Sequence, residues 1–235
     1  MISAGNDIVA LNAIDRQRTV QPRFYSKILS LSEKELYSRT LFSKMPFEHF
    51  VWLLWSIKES VYKYCRRIEP DLIFSPTRIV VRELDEPPGI RGVGEVAFYK
   101  GLVHSAGGIF YSRTKVHADH ISTVVSPDKD FDGVWSGSAS IDRTDRAGQS
   151  ASVRALVLDK LSFLLPSHGD ELRIEKNLRD CPVVYQGKKE LGIPVSLAHH
   201  GHFIAYSFRL EHETSCDPSE AVHGVRASGS SPDSA

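Results

Sequence analysis

The sequence predicts an α+β fold in which helices pack on mostly antiparallel sheets. Apolar residues recur over residues 47–67 at alternating spacings of four and three, which predicts one long amphipathic helix. Short runs rich in β-branched and aromatic residues predict strands before and after that helix. Together these helices and strands predict the α+β class.

The elements are predicted in the following order. Residues 2–11 form a strand that carries Asp7 among apolar neighbours. A helix over residues 32–43 starts at a capping box of Ser32 and Glu35, and Pro46 precedes the long helix. Further strands are predicted at 78–82, 94–100, 108–116, 120–125, 183–185, 194–197 and 203–210, with a loop at 126–149 and a helix at 152–165.

The length of 235 residues, of which 41% are hydrophobic, suffices for one large domain or two small ones. We expect one domain over residues 1–210, with two related halves, about 1–100 and 101–210, as an alternative. Residues 211–235 are rich in Ser, Asp, Glu, Gly and Pro and are expected to form a disordered tail.

The charges balance, with 29 basic and 29 acidic residues, so bulk charge gives no indication of nucleic-acid binding. The sequence has no run of about 18 apolar residues, and the amino terminus lacks the features of a secretory signal. Three widely spaced cysteines indicate a reducing compartment. We therefore expect a cytoplasmic protein without a membrane partner.

Three clusters of residues could carry chemistry. Asp7 lies inside an apolar strand, where a lone carboxylate is costly unless it binds something, although it could also cap a turn. Glu59 and Lys63 lie four residues apart in the long helix. An ordinary surface ion pair has this spacing, but the helix is apolar on two sides, which argues against a solvated pair. The third cluster contains His199, His200 and His202.

The histidines allow a second interpretation. A zinc-dependent hydrolase or metal-binding module could use five of them as ligands: His117, His120, His199, His200 and His202. As a zinc motif the pattern is weak, because neither an HExxH sequence nor a distant cysteine pair accompanies it. The role of His104 is left open.

Taken together, the segments GNDIVAL, WSIKESVYK and VSLAHHGHFIAYSF resemble the 4'-phosphopantetheinyl transferases. That family has a Gly-x-Asp strand, a Trp-x-x-Lys-Glu-Ser/Ala-x-x-Lys helix and a Ser-x-Ser-His segment. Their order here is that of the short holo-[acyl-carrier-protein] synthase type. The resemblance covers residues 2–68 and 183–210. Two departures are Ala198, where the family often has serine, and Val9, where the larger type has a second acid.

The resemblance implies transfer of 4'-phosphopantetheine from coenzyme A to a serine of an apo carrier protein, with Mg²⁺ as cofactor and 3',5'-ADP as the leaving group. Asp7 and Glu59 would hold the metal, and Glu59 and Lys63 would act in catalysis. Lys58, Lys63, Ser196 and His199 would contact coenzyme A.

An acidic acyl or peptidyl carrier protein would dock on Arg16, Arg18 and Arg23, unless these are ordinary solvated arginines. The sequence does not distinguish carriers of fatty acid, polyketide or nonribosomal peptide synthesis. It also leaves open whether the site lies within one chain or between subunits. A third interpretation is a non-catalytic relative that only binds coenzyme A or a carrier.

Overall fold

The computed structural model of the protein describes residues 4–38, 45–85, 96–166 and 172–210. Its fold is α+β, as the sequence predicts. Within the described ranges the elements are β1 (Gly5–Ala10), α1 (Arg16–Thr19), α2 (Pro22–Tyr25), α3 (Leu31–Ser38), α4 (Phe47–Ile68), a 3-10 helix (Pro76–Arg78), β2 (Val80–Asp85), β3 (Ala97–Ser105), β4 (Gly108–Val116), β5 (His120–Ser126), β6 (Val134–Ser140), α5 (Arg146–Leu164), β7 (Leu172–Lys176), β8 (Pro182–Gln186), β9 (Lys189–His200) and β10 (Phe203–Arg209).

The strands form two antiparallel sheets of five strands with the same topology. The order is β1-β5-β4-β3-β2 in the first sheet and β6-β10-β9-β8-β7 in the second. In each sheet the first strand pairs with the last, and one long helix, α4 or α5, follows the first strand. The chain passes from one sheet to the other between Ser126 and Val134, later than the predicted division near residue 100, which lies within β3.

Helix α4 is the main packing element of the first half, and its predicted bounds are confirmed to within one residue. Its buried stripe of Phe50, Leu54, Ile57 and Val61 is fully inaccessible to solvent. Complete burial of each such side chain contributes about 1.5–3 kcal/mol. The opposite stripe is covered by aromatic residues, since Trp55 and Tyr62 both pack on the ring of Phe74.

Helix α5 packs on the second sheet through Val153, Val157 and Leu161, all essentially inaccessible. A small apolar cluster joins the two halves, in which β1 contributes Ile8 and Ala10. Residues of β9 and β10 complete this cluster: Ala198, Phe203 and Ala205. Strand β1 is therefore shared, because it pairs with β5 in the first sheet and packs against the second.

The capping box of α3 differs from the predicted one. The backbone N–H of Ser30 donates to Oε2 of Glu33 at 2.7 Å, and the N–H of Glu33 donates to the Ser30 hydroxyl at 3.4 Å. The box is therefore Ser30–Glu33 and not Ser32–Glu35, one pair with the same spacing two residues earlier. The predicted end of this helix near residue 43 lies outside the described residues.

The predicted loop at 126–149 is wrong in two places, because it contains β6 and the first turn of α5. Strand β6 is poor in large apolar residues, and the α5 start lacks apolar periodicity, so neither produced a signal. Asp145 caps that start by accepting a hydrogen bond from the N–H of Gly148 at 2.8 Å.

Among the described residues, no helix combines the length and the apolar character needed to cross a bilayer. The predicted tail at 211–235 lies outside the described residues.

Candidate active site

Strand β1 and helix α4 bring Asp7 and Lys63 into contact. Nζ of Lys63 lies 3.0 Å from Oδ1 of Asp7 and donates to the carbonyl of Asn6 at 3.1 Å. The Asp7 side chain is only 10% exposed and that of Lys63 is 26% exposed. This pair is therefore a largely buried contact between β1 and α4. It explains the position of Asp7 without a turn-capping role.

Glu59 lies one turn before Lys63 on α4 and belongs to the same group. Burial raises the pKa of the Glu59 carboxyl, the Lys63 ammonium opposes that rise, and the negative charge of Asp7 adds to it. Asp7 is thus close enough to influence Glu59 electrostatically. Between β1 and α4, the Asp7 carboxylate and the Lys63 ammonium are therefore in contact, and Glu59 lies within electrostatic reach of both.

Gly5 explains how β1 approaches α4 so closely. A Cβ atom at this position would lie 2.0 Å from the carbonyl oxygen of Ser60, a distance that no side chain can adopt. The glycine of the GND segment is therefore required by packing. It lets the strand bring Asp7, two residues later, within reach of the helix.

The second half contributes residues from β9. The Ser196 hydroxyl accepts a hydrogen bond from the N–H of Asn6 at 3.1 Å, and Nδ1 of His200 accepts one from the N–H of Ala10 at 3.2 Å. Both side chains therefore satisfy backbone donors at the open edge of β1. Ser196 is 2% exposed, so its position is that of a support for the strand that carries Asp7.

His199 lies next to this junction and its side chain is open to solvent. Its pKa is lowered by partial burial and by the positive charges of Lys63 and Arg146. The lowered pKa favours the neutral imidazole, and the two nearby cations would suit a phosphate anion.

Arg146 is a candidate site residue that the sequence analysis missed, since its charge lowers the pKa of His199. It is exposed and is the first residue of α5. The amide of Gln149 donates to the carbonyl of Gly201 at 2.8 Å, which ties this end of α5 to the turn between β9 and β10. The available signal was the helix cap at Asp145, three residues before Gly148, in a stretch that was interpreted as a loop.

Lys58 is not placed with the other predicted site residues. Its ammonium is fully buried and contacts Oε2 of Glu33 at 2.7 Å, the carbonyl of Ile28 at 2.6 Å and the carbonyl of Pro76 at 3.1 Å. These three bonds use all the donors of a lysine. The predicted contact between Lys58 and coenzyme A is therefore corrected to a structural role in joining α4, α3 and the segment before β2.

The three arginines predicted to dock a carrier are all exposed on α1 and α2. The guanidinium of Arg18 lies 5.1 Å from the centre of the Phe24 ring, and Arg16 is close enough to His49 to influence its pKa. Arg23 lies in α2. The arrangement leaves their charges accessible to a partner.

The histidines proposed for zinc have other contacts. His117 and His120 stack on each other at 4.1 Å, and His120 also stacks on Phe203 at 4.4 Å. Nδ1 of His202 donates to the carbonyl of Ile141 at 3.1 Å. In the described ranges, no three or more His, Cys, Asp or Glu side chains are grouped to hold a metal ion. The zinc interpretation therefore has no assembled site there.

A magnesium ion makes different demands. It prefers oxygen ligands, keeps several waters and uses one or two carboxylates together with substrate phosphates. The carboxylates of Asp7 and Glu59 would fit such an ion, because burial raises the pKa of Glu59, the charge of Asp7 adds to that rise, and a bound cation would favour the ionised carboxyl groups.

Residues 3–103 match the family model of the 4'-phosphopantetheinyl transferase superfamily. The matched range contains Asp7, Glu59 and Lys63 and ends within β3, so it does not include the His199 segment. No curated protein and no solved structure gives a significant match. Over residues 3–103, which hold the first two motifs, the chain is therefore similar to the 4'-phosphopantetheinyl transferase superfamily.

Proposed function

We propose that this protein transfers the 4'-phosphopantetheine group of coenzyme A to a serine hydroxyl of an apo carrier protein, with Mg²⁺, and releases 3',5'-ADP. The observation that carries the proposal is the contact between Asp7 and Lys63, with Glu59 within electrostatic reach of both, between β1 and α4. Two acids and a lysine from distant motifs converge in a half-buried position beside His199 and Arg146.

In this proposal Asp7 and Glu59 hold the metal, which would neutralise the charge that develops on the departing 3',5'-ADP. Lys63 contacts the pyrophosphate as a point charge, since its ammonium already lies at the carboxylate pair and its side chain is partly exposed. His199 and Arg146 contact the same phosphates from the second half of the chain.

The transfer step needs a base for the serine proton. The serine oxygen forms a bond to the β-phosphorus of coenzyme A, and the bond from that phosphorus to the bridging oxygen of 3',5'-ADP breaks. The electron pair of the broken bond stays with the ADP. Glu59 would receive the proton, directly or through a bound water, and the burial that raises the pKa of its carboxyl favours this role.

A basic cavity farther along α4 could hold the nucleotide part of coenzyme A. Arg67 follows Lys63 by one helical turn and lines a cavity of about 390 Å³ together with Arg179. Burial lowers the pKa of the Arg67 guanidinium to about 10. One of its terminal nitrogens has no hydrogen-bond partner, while the other donates to the carbonyl of Val195. We infer that an anionic group of the nucleotide binds there.

The proposal is tested by incubating the protein with coenzyme A, Mg²⁺ and a panel of apo carrier proteins, followed by mass spectrometry of the carriers. The expected result is the added mass of one phosphopantetheine arm on at least one carrier. Asp7→Asn, which keeps the shape of the side chain, should abolish the addition while circular dichroism shows an intact fold. Binding of coenzyme A without addition to any carrier would contradict the proposal and favour the non-catalytic interpretation.

A further inference from the structure

A second cavity lies on the face of the first sheet that points away from α4. The two faces follow from the strand register, because residues directly opposite each other in antiparallel strands point to the same side. Asp7 lies opposite Thr123, whose hydroxyl accepts a hydrogen bond from Ser56 of α4 at 2.9 Å. Asn6, which lies opposite Val124, therefore points to the other side.

The cavity has a volume of about 320 Å³ and lies between that face and the second sheet. Ser136, Gly137 and Ser138 of β6 and Tyr206 of β10 form its opposite wall. A volume of this size is at the lower end of the range for small-molecule sites.

The charge of the cavity wall has one sign. In the strand register Arg113 of β4 lies opposite Val124 of β5 on one side and Lys100 of β3 on the other. Lys115, two residues farther along β4 and on the same face, lies opposite Ser122 of β5. All three cations line the cavity, and the described residues around it include no aspartate or glutamate. Arg113 is already in use, since it donates to the carbonyl of Asp130 at 2.9 Å and lies over a phenyl ring. Lys100 lies directly opposite Asp85 of β2, whereas Lys115 lies over the ring of Phe98, itself a wall residue of the cavity, at 5.7 Å. We therefore take Lys115 as the cation that meets a ligand.

Asn6 gives an independent indication of a ligand. Its side chain lines the cavity and is 1% exposed, and neither Nδ2 nor Oδ1 has a hydrogen-bond partner. A buried amide without partners is unfavourable, so both atoms call for a group that offers one donor and one acceptor.

The two halves of the chain differ in how the outer edge of their first strand, β1 or β6, is closed. In the first half, the outer edge of β1 is closed against β9 by the Ser196 and His200 side chains. The topological counterpart of β1 is β6, and the counterpart of β9 is β4. No hydrogen bond between the described residues of β6 and β4 closes that edge, and the cavity occupies the gap.

We propose that this cavity binds a small organic anion that carries an amide on a short apolar chain. Lys115 pairs with the anionic group, the Asn6 amide pairs with the ligand amide, and Phe98, Val124 and Tyr206 contact the apolar part. The proposal does not depend on the transferase function, because the site lies on the side of β1 opposite Asp7.

The test uses three probes that differ in one feature each. N-acetyl-L-leucine has the charge, the amide and the apolar chain; N-acetyl-L-leucinamide lacks the charge; 4-methylpentanoate lacks the amide. Saturation-transfer NMR with the full-length protein measures their affinities. N-acetyl-L-leucine is expected to bind about tenfold more tightly than either of the others, as one charge-assisted or paired hydrogen bond allows.

Two variants locate the binding. Lys115→Gln should weaken N-acetyl-L-leucine about tenfold and leave N-acetyl-L-leucinamide unchanged. Lys27→Gln, which removes an exposed lysine elsewhere in the first half, should change neither. Equal affinities of the three probes, no detectable binding at millimolar concentration, or insensitivity to Lys115→Gln would overturn the proposal. Displacement of N-acetyl-L-leucine by coenzyme A would also overturn it, because the cavity would then belong to the site between β1 and α4.

Discussion

Nζ of Lys63 lies 3.0 Å from the Asp7 carboxylate and 3.1 Å from the Asn6 carbonyl, so helix α4 is tied to strand β1 at two adjacent residues. The second half holds the same stretch of β1 from its other edge, through Ser196 and the N–H of Asn6. The strand that carries Asp7 is thus fixed from both halves of the chain. Such fixation is what a site needs in order to hold a metal and a phosphate without reorganising.

Replacing Lys63 by methionine is expected to raise the KM for coenzyme A and to lower kcat. The substitution keeps most of the length of the side chain but removes the charge that would face the pyrophosphate. We expect a loss of at least about a hundredfold in kcat/KM, the size typical for one charge that acts on the transition state. The measurement is the initial rate of carrier modification as a function of coenzyme A concentration.

Lys160→Met is the control for Lys63→Met, because Lys160 lies on α5 over the Trp135 ring and outside the candidate site. It should leave both constants unchanged. If Lys63→Met raised only the KM for the carrier protein, the assignment of Lys63 to the pyrophosphate would be wrong.

Glu59 predicts a dependence of stability on pH. Its pKa is raised in the folded protein, chiefly by burial, so the folded state binds this proton more tightly than the unfolded chain does. Stability therefore falls as the pH rises from the unfolded-state pKa through the folded-state pKa. Glu59→Gln carries no such proton. Its free energy of unfolding relative to the original protein should increase through that pH window and stay constant above it.

The measurement for Glu59→Gln is urea denaturation over a pH series in buffer without divalent metal. Glu35→Gln, which changes an exposed glutamate on α3, is the control and should run parallel to the original protein. A stability difference between Glu59→Gln and the original protein that does not vary with pH would show that Glu59 is not held in an unfavourable environment. Added Mg²⁺ should stabilise the original protein more than Glu59→Gln.

The sequence predicted the helices and strands whose apolar residues follow the helical or strand period. Helix α4 was found because its apolar residues repeat at the helical period over six turns, and the strands from β3 to β5 because of their β-branched and aromatic content. Strand β6 was missed because it consists mainly of serine, glycine and alanine, and its pairing with β10 is decided by partners distant in the chain.

The candidate site was predictable where the motif itself carries the chemistry. Asp7 and Lys63 are in contact, and Glu59 lies within electrostatic reach of both, because acid and amine groups in apolar surroundings need partners. Their roles in the site stay a prediction. Lys58 could not be separated from them by sequence. Its partner Glu33 lies 25 residues earlier, and only the packing of α3 shows that the buried ammonium is already satisfied. Arg146 has no motif of its own.

The buried ion pair of Lys58 and Glu33 is expected to behave as a structural unit. Lys58→Met alone leaves the Glu33 carboxylate buried without its cation and should destabilise the fold by about 3–5 kcal/mol. Combining it with Glu33→Gln removes that charge and should recover most of the loss, because the amide oxygen can still accept from the N–H of Val81. Urea denaturation of the two single variants and the double variant gives the coupling energy.

The double variant also tests the correction made for Lys58. Since its ammonium does not reach the candidate site, the KM for coenzyme A of the folded double variant should equal that of the original protein. A large rise in that KM would return Lys58 to the coenzyme A site.

The exposed arginines of α1 and α2 predict how a carrier protein is recognised. Replacing Arg16, Arg18 and Arg23 by serine should raise the KM for an acidic carrier roughly tenfold at low salt and leave the KM for coenzyme A unchanged. Charges at the edge of an interface act mainly on encounter, so the effect should shrink as the ionic strength rises and the charges are screened. A triple variant, Arg78→Ser, Arg82→Ser and Lys129→Ser, removes the same number of exposed cations elsewhere in the chain and serves as the control. Equal effects of the two variants at every salt concentration would mean that α1 and α2 contribute only general positive charge, and the docking site would have to be sought on another face.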